Sequence, residues 1–107
     1  MFALDEAIIE LNNALNEPTE RFVRGIAEEA GEVVGAFNKW DDKRTDKPMT
    51  RNDILHEMSQ LYGCILLVAL HLGFNTADLY EKTLTFARDK AENIGEERYT
   101  HRGMDNA

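Results

Sequence analysis

The sequence predicts an all-α fold, a four-helix bundle. Apolar residues recur at helical spacing in four separate segments, and the breaks between them carry residues that stop and start helices. β-branched alternation and Asn-Gly or Asp-Gly hairpin turns are absent. The first helix is expected from about Phe2 to Leu15, with Leu4, Ile8, Leu11 and Leu15 on one core stripe. Asn16-Glu17-Pro18 breaks it, and Pro18 suits the first turn of a second helix to about Trp40, whose stripe is Ile26, Ala30, Val33 and Phe37. A polar loop follows. Thr50, with Asp53 three residues on, predicts a capped start for a third helix reaching about Leu72, which Gly73-Phe74-Asn75 would end. Asn75 or Thr76 would cap a fourth helix from about Ala77 to Asn93, and from about residue 95 the polar tail is expected to be irregular.

At 107 residues the chain is expected to be one domain, 1–107. Hydrophobic residues at 43% make it too apolar for a disordered chain. The formal net charge of −8 argues against a general nucleic-acid binder, which needs a basic face to displace counterions. It leaves room for a phosphorylated ligand, because a metal can neutralise both sides. The one cysteine, Cys64, sits in an apolar run and reads as a buried, inert thiol. No basic segment opens the chain, so no signal peptide is expected. The run from Leu61 to Leu72, broken by Gly63 and His71, reads as too short for a bilayer span of about 20 residues. A cytoplasmic protein is the expectation, with no membrane or nucleic-acid partner. The third helix is apolar on most sides between Leu61 and Leu70, which suits a central helix that also lies in a subunit interface.

The second and third helices share a pattern. Gly25-Ile-Ala-Glu-Glu-Ala-Gly-Glu-Val-Val-Gly-Ala-Phe37 aligns with Asp53-Ile-Leu-His-Glu-Met-Ser-Gln-Leu-Tyr-Gly-Cys-Ile65. With Ile26 and Ile54 set to zero, Glu29 and Glu57 both fall near about 300°, and Glu32 and Gln60 near about 240°, on the same flank of each apolar face. Asp53 falls near about 260°. Packed antiparallel, the two helices would bring three carboxylates and one amide together, with Gly25 and Ala36 leaving space beside them. Like charges converging at low exposure are costly unless a cation holds them. Mg²⁺, a hard ion that takes oxygen ligands and keeps waters for substrate phosphates, is the natural candidate, with Mn²⁺ the alternative. Against this stands the simpler reading of Glu-x-x-Glu as a solvated acidic edge.

Glu29-Ala-Gly-Glu32 on one helix, then Glu57-x-x-Gln60 on the next after a polar loop, resembles the MazG-type nucleoside triphosphate pyrophosphohydrolases. Their hallmark is Glu-x-x-Glu, a spacer, then Glu-x-x-Asp, in an all-α fold. Glu28, Ala30-Gly31 and Leu67-Val-Ala-Leu-His-Leu-Gly73 also look like that family, and the likeness covers roughly residues 24–82. The resemblance implies a MazG-like bundle that hydrolyses a nucleoside triphosphate to its monophosphate and pyrophosphate. It implies that Glu29, Glu32 and Glu57 hold one or two Mg²⁺ and serve as the catalytic carboxylates. It also implies a homodimer or homotetramer, and a phosphate or base contact near Lys82 on the last helix; the family's asparagine there has no clear counterpart, Asn93 being a poor match. One position departs: Gln60 stands where the pattern has Asp. An amide oxygen can ligate Mg²⁺ without charge, so cation affinity should fall, and Asp53 is the candidate substitute ligand. A nucleotide-binding relative that does not turn its ligand over, and an oligomeric helical scaffold with a merely acidic surface, therefore stay open.

Further residues are candidates for substrate binding. Trp40, near Phe37, either covers the core or stacks on a nucleobase. Lys39, with Lys43, Arg44 and Lys47, forms a basic cluster that could meet phosphates or simply be solvated. Arg98 and Arg102 are tail residues able to reach phosphate, including that of a neighbouring subunit. His56-Glu57-Met-Ser-Gln60 begins like a zinc-protease motif but lacks its second histidine, and only Asp53-Ile-Leu-His56 approaches a di-iron pattern. His56 and His71 therefore read as packing or surface residues. No Gly-rich phosphate loop and no serine nucleophile motif is present.

Overall fold

The computed structural model describes residues 2–42 and 49–105, with side chains described as far as residue 95. Four helices and no strand are present among the described residues: α1 (Phe2–Leu15), α2 (Thr19–Asp42), α3 (Arg51–His71) and α4 (Thr76–Asp105). The all-α expectation is met. The chain divides into two units, Met1–Thr76 and Ala77–Ala107.

In the first unit, local chemistry sets each boundary. Asn16 closes α1 in the left-handed region at φ 49°, its N–H donating to the Asn12 carbonyl at 2.9 Å. Pro18 precedes α2, and its carbonyl accepts the Arg21 N–H at 3.0 Å. Thr50 caps α3 through a complete capping box: its hydroxyl accepts the Asp53 N–H at 3.2 Å, and Asp53 Oδ2 accepts the Thr50 N–H at 2.8 Å. These bonds to Thr50 hold the Asp53 carboxyl below its ordinary 3.8. Gly73, at φ 86°, ends α3: its N–H donates to the Leu70 carbonyl at 3.0 Å, and the Phe74 N–H to the Ala69 carbonyl at 2.8 Å. That pair of bonds is a Schellman motif, which needs a residue free to adopt positive φ. Replacing Thr50 by Ala is expected to cost about 1 kcal/mol, read as a melting temperature lower by roughly 4–8 °C for a domain of this size. A Thr50→Ser variant, which keeps the hydroxyl, should retain most of that stability.

α2 and α3 pack along each other, and α1 meets α3 over a shorter stretch. The buried apolar residues are Ile8, Phe22, Ala36, Leu66 and Leu67. Two expected stripes are only partly covered. On α1 only Ile8 is buried, while Leu4, Leu11 and Leu15 stay exposed, because the short contact with α3 hides one turn and not the whole stripe. On α2 Phe22 and Ala36 are buried, the expected Ile26, Ala30 and Val33 are half-buried, and Phe37 is exposed.

Polar side chains tie the ends of these helices together. His71 Nε2–H donates to Asn12 Oδ1 at 2.6 Å, leaving Nδ1 to accept the Thr19 hydroxyl at 2.8 Å. The ring also packs edge-on against Phe22, with centroids 5.1 Å apart. His71 is therefore a packing residue, as expected. Asp5 accepts both the N–H and the hydroxyl of buried Thr76, at 2.9 and 3.0 Å.

In the second unit, α4 runs to Asp105, past the expected end near Asn93 and through the tail expected to be irregular. Polarity is a poor guide there. Gly95 costs a helix about 1 kcal/mol but does not break it, and the residues after it include no proline. By length and composition α3, at 21 residues, is also long enough and apolar enough to cross a membrane, a test that core helices of soluble proteins pass too.

Candidate functional site

Three close approaches define how α2 faces α3. A Cβ placed on Gly25 would lie 3.3 Å from Cys64 Sγ, Glu29 lies beside Gln60, and Glu32 lies beside Glu57. Each step up α2 is matched by a step down α3, so the helices run antiparallel. Gly25 is thus spent on helix approach and Ala36 on burial; neither leaves the open space expected of it. The Cys64 thiol is half-buried and its pKa is pushed up, first by desolvation and then by Glu29 and Glu28. A thiol in that setting is a poor nucleophile.

Antiparallel packing puts the flank shared by the two motifs at one seam. Glu29, Glu32 and Glu57 each offer a carboxylate oxygen, and these oxygens all lie within 4.8 Å of one another. Glu29 and Glu57 are half-buried and Glu32 is exposed. Partial desolvation, then the charge of Glu32 and a hydrogen bond with it, raises the Glu29 pKa above its ordinary 4.5. A hydrogen bond with Glu32 is the leading cause of the raised Glu57 pKa, followed by desolvation; the nearby His56 ring works the other way. Both shifts mark carboxylates that resist being ionised together.

Gln60 completes the seam. With its amide nitrogen toward the carboxylates, it donates to Glu29 Oε2 and Glu57 Oε2 at 3.3 Å each, and its oxygen accepts from His56 Nε2 at 3.1 Å. Asp53 is not one of the three converging carboxylates, and its Oδ2 is engaged by Thr50 in the α3 cap.

The donor set fits a hard divalent cation. Mg²⁺ sits about 2.1 Å from its oxygens, which places ligand oxygens about 3 to 4 Å apart around one ion.

The substrate-binding candidates are less well gathered. Trp40 is exposed near the end of α2 and tilts against Phe37, with centroids 5.7 Å apart, which accounts for its position without a ligand. Lys39 is exposed on the last turn of α2. Lys82 is exposed on α4, in the second unit. Lys43, Arg44 and Lys47 lie outside the described residues, as do the side chains of Arg98 and Arg102. His56, read from the sequence as a packing or surface residue, is exposed and lies within hydrogen-bond reach of Gln60, with its Nε2 3.1 Å from the amide. The i, i+4 spacing of the two residues places them on one helix face. Comparison with family models, curated proteins and solved structures yields no match for this chain.

Proposed function

We propose that the chain is a Mg²⁺-dependent nucleoside triphosphate pyrophosphohydrolase, cleaving an NTP or dNTP to its monophosphate and pyrophosphate. The observation that carries this reading is the convergence of Glu29, Glu32 and Glu57 from two antiparallel helices. The MazG-type likeness of the two motifs supplies the reaction class. Bound there, Mg²⁺ would hold phosphate oxygens and lower the pKa of a water for in-line attack on phosphorus. Glu29 and Glu57 form the half-buried floor of the site, and Glu32, the exposed member, stands on the side open to substrate.

On this reading the protein is cytoplasmic and works as a homodimer or homotetramer. Leu55, Met58 and Tyr62, spaced i, i+3, i+7 on α3, are all exposed and form an apolar stripe suited to a second copy. With Mg²⁺ and a panel of ribo- and deoxynucleoside triphosphates, at least one should yield monophosphate and pyrophosphate in equal amounts. A folded protein releasing pyrophosphate from none of them would overturn the reading. Gln60, an uncharged amide beside Glu29 and Glu57 where the likeness has Asp, favours a second reading: a nucleotide-binding protein without turnover. That reading expects triphosphate to raise the melting temperature with no product formed, and Gln60→Asp to create activity.

A further inference from the structure

α4 carries an apolar seam of its own. Ala77, Tyr80, Leu84, Ala87, Ala91 and Ile94 follow one another at alternating spacings of three and four residues. That alternation keeps all six on one side of the helix and is the spacing of a two-stranded coil. Yet no residue from Ala77 to Gly95 is buried: Tyr80, Ala87, Ala91 and Ile94 are exposed, and Ala77 and Leu84 are half-buried. Among the described residues the second unit is this one helix, so it holds nothing of its own that could cover the seam.

The sequence of the seam says what covers it. Run antiparallel against an identical helix, with Leu84 opposite Ala87 of the second copy, the seam matches itself throughout. Tyr80 then meets Ala91 and Ala77 meets Ile94, so every layer sets a large side chain against a small one. A parallel pair would stack Tyr80 on Tyr80 and leave Ala87 and Ala91 each facing its own small copy across a gap. The charges agree with the antiparallel register. Glu81 and Arg88, on one flank of the seam, face each other across the pair, and two-fold symmetry makes that contact twice. On the other flank Lys90 faces Thr83, so no like charges oppose. A parallel pair sets Glu81 against Thr76 and Arg88 against Thr83, and gains neither ion pair.

We propose that α4 is a self-association element that pairs antiparallel with α4 of a second copy, along Ala77 to Ile94 and flanked by Glu81–Arg88 contacts. It uses no residue of the α3 stripe or of the carboxylate cluster, and it stands without the enzymatic reading. Lys82 falls on the opposite face of α4 and stays open to solvent in the pair.

Sedimentation of the full chain over a range of concentrations tests this, with circular dichroism to check helix content. Ala87→Glu sets a charge against Leu84 of the second copy, at a position exposed within one chain. It should halve the number of copies in the assembly, from four to two or from two to one. Glu81→Arg and Arg88→Glu each oppose like charges twice, and each should weaken association about 10-fold. The double variant exchanges the two charges and should return to within about threefold of wild type. Phe86→Ala removes a large apolar side chain that is 66% exposed but lies off the seam, and it should leave the assembly unchanged. A wild-type chain that stays monomeric throughout, or an assembly unchanged in Ala87→Glu, overturns the proposal. A double variant no stronger than the single ones overturns it too, as does a loss in Phe86→Ala equal to that in Ala87→Glu.

Discussion

Replacing Glu57 by Gln is expected to lower pyrophosphate release at least about 100-fold while raising the melting temperature of the metal-free protein. The activity loss follows from the removed charge. Changing a group that merely supports a metal ligand already costs about 10- to 100-fold in metal affinity or activity, and Glu57 is a proposed ligand itself. The gain in stability follows from the raised Glu57 pKa: without a cation, Glu57 and Glu32 are two acidic groups forced to share space. An amide of the same shape keeps the packing and removes the conflict. Opposite movements of activity and stability separate a lost ligand from a misfolded variant. Steady-state rates paired with calorimetric melting in EDTA provide the check. A variant that keeps its rate, or loses stability together with its rate, contradicts the assignment. Glu29→Gln should behave alike, since its carboxyl is raised first by desolvation and then by Glu32.

The second large effect is on pH. Glu29 and Glu57 hold their protons more tightly in the folded chain than the ordinary 4.5. The stability this provides is fully present below about pH 4.5 and is lost as pH rises through their folded values. Asp53 acts in the other direction. Its lowered pKa contributes stability above 3.8 that is lost as pH falls through the folded value, so it does not mask the effect near neutrality. Mg²⁺ favours the ionised carboxylates and displaces their protons. The difference in melting temperature between Mg²⁺ and EDTA should therefore be small in acid, grow as pH rises through the folded values of these carboxylates, and level off above them. A difference that is flat with pH, or largest in acid, would mean that these carboxylates are not where the cation binds.

Much of this is legible in the sequence because it is local. Thr50 with Asp53, and Gly73 at positive φ, set the ends of α3 through bonds spanning a few residues. The matched phase of Glu29 with Glu57 and of Glu32 with Gln60 needs only helical periodicity and an antiparallel partner to become a cluster. What the sequence does not show depends on residues far apart along the chain. The apolar stripe of α1 is readable, but not that only Ile8 is covered. The joint of Asn12, Thr19 and His71, and the grip of Asp5 on Thr76, link side chains more than fifty positions apart, which no local pattern encodes. Asp53 shows how two local readings compete. Its phase fits a metal ligand and its spacing from Thr50 fits a cap, and the cap, with two short hydrogen bonds available at once, is the one formed. The tail beyond Gly95 departs from expectation for a simpler reason, since charge alone does not stop a helix.

Paramagnetic titration with Mn²⁺, counting the free ion as protein is added, addresses the metal centre with no assumption about substrate. Wild-type protein should remove Mn²⁺ from solution saturably, in competition with Mg²⁺, and the Glu29→Gln, Glu57→Gln double variant should leave it free. Mn²⁺ that stays free beside the folded wild-type protein, or is bound equally by the double variant, would contradict a metal centre built from Glu29, Glu32 and Glu57.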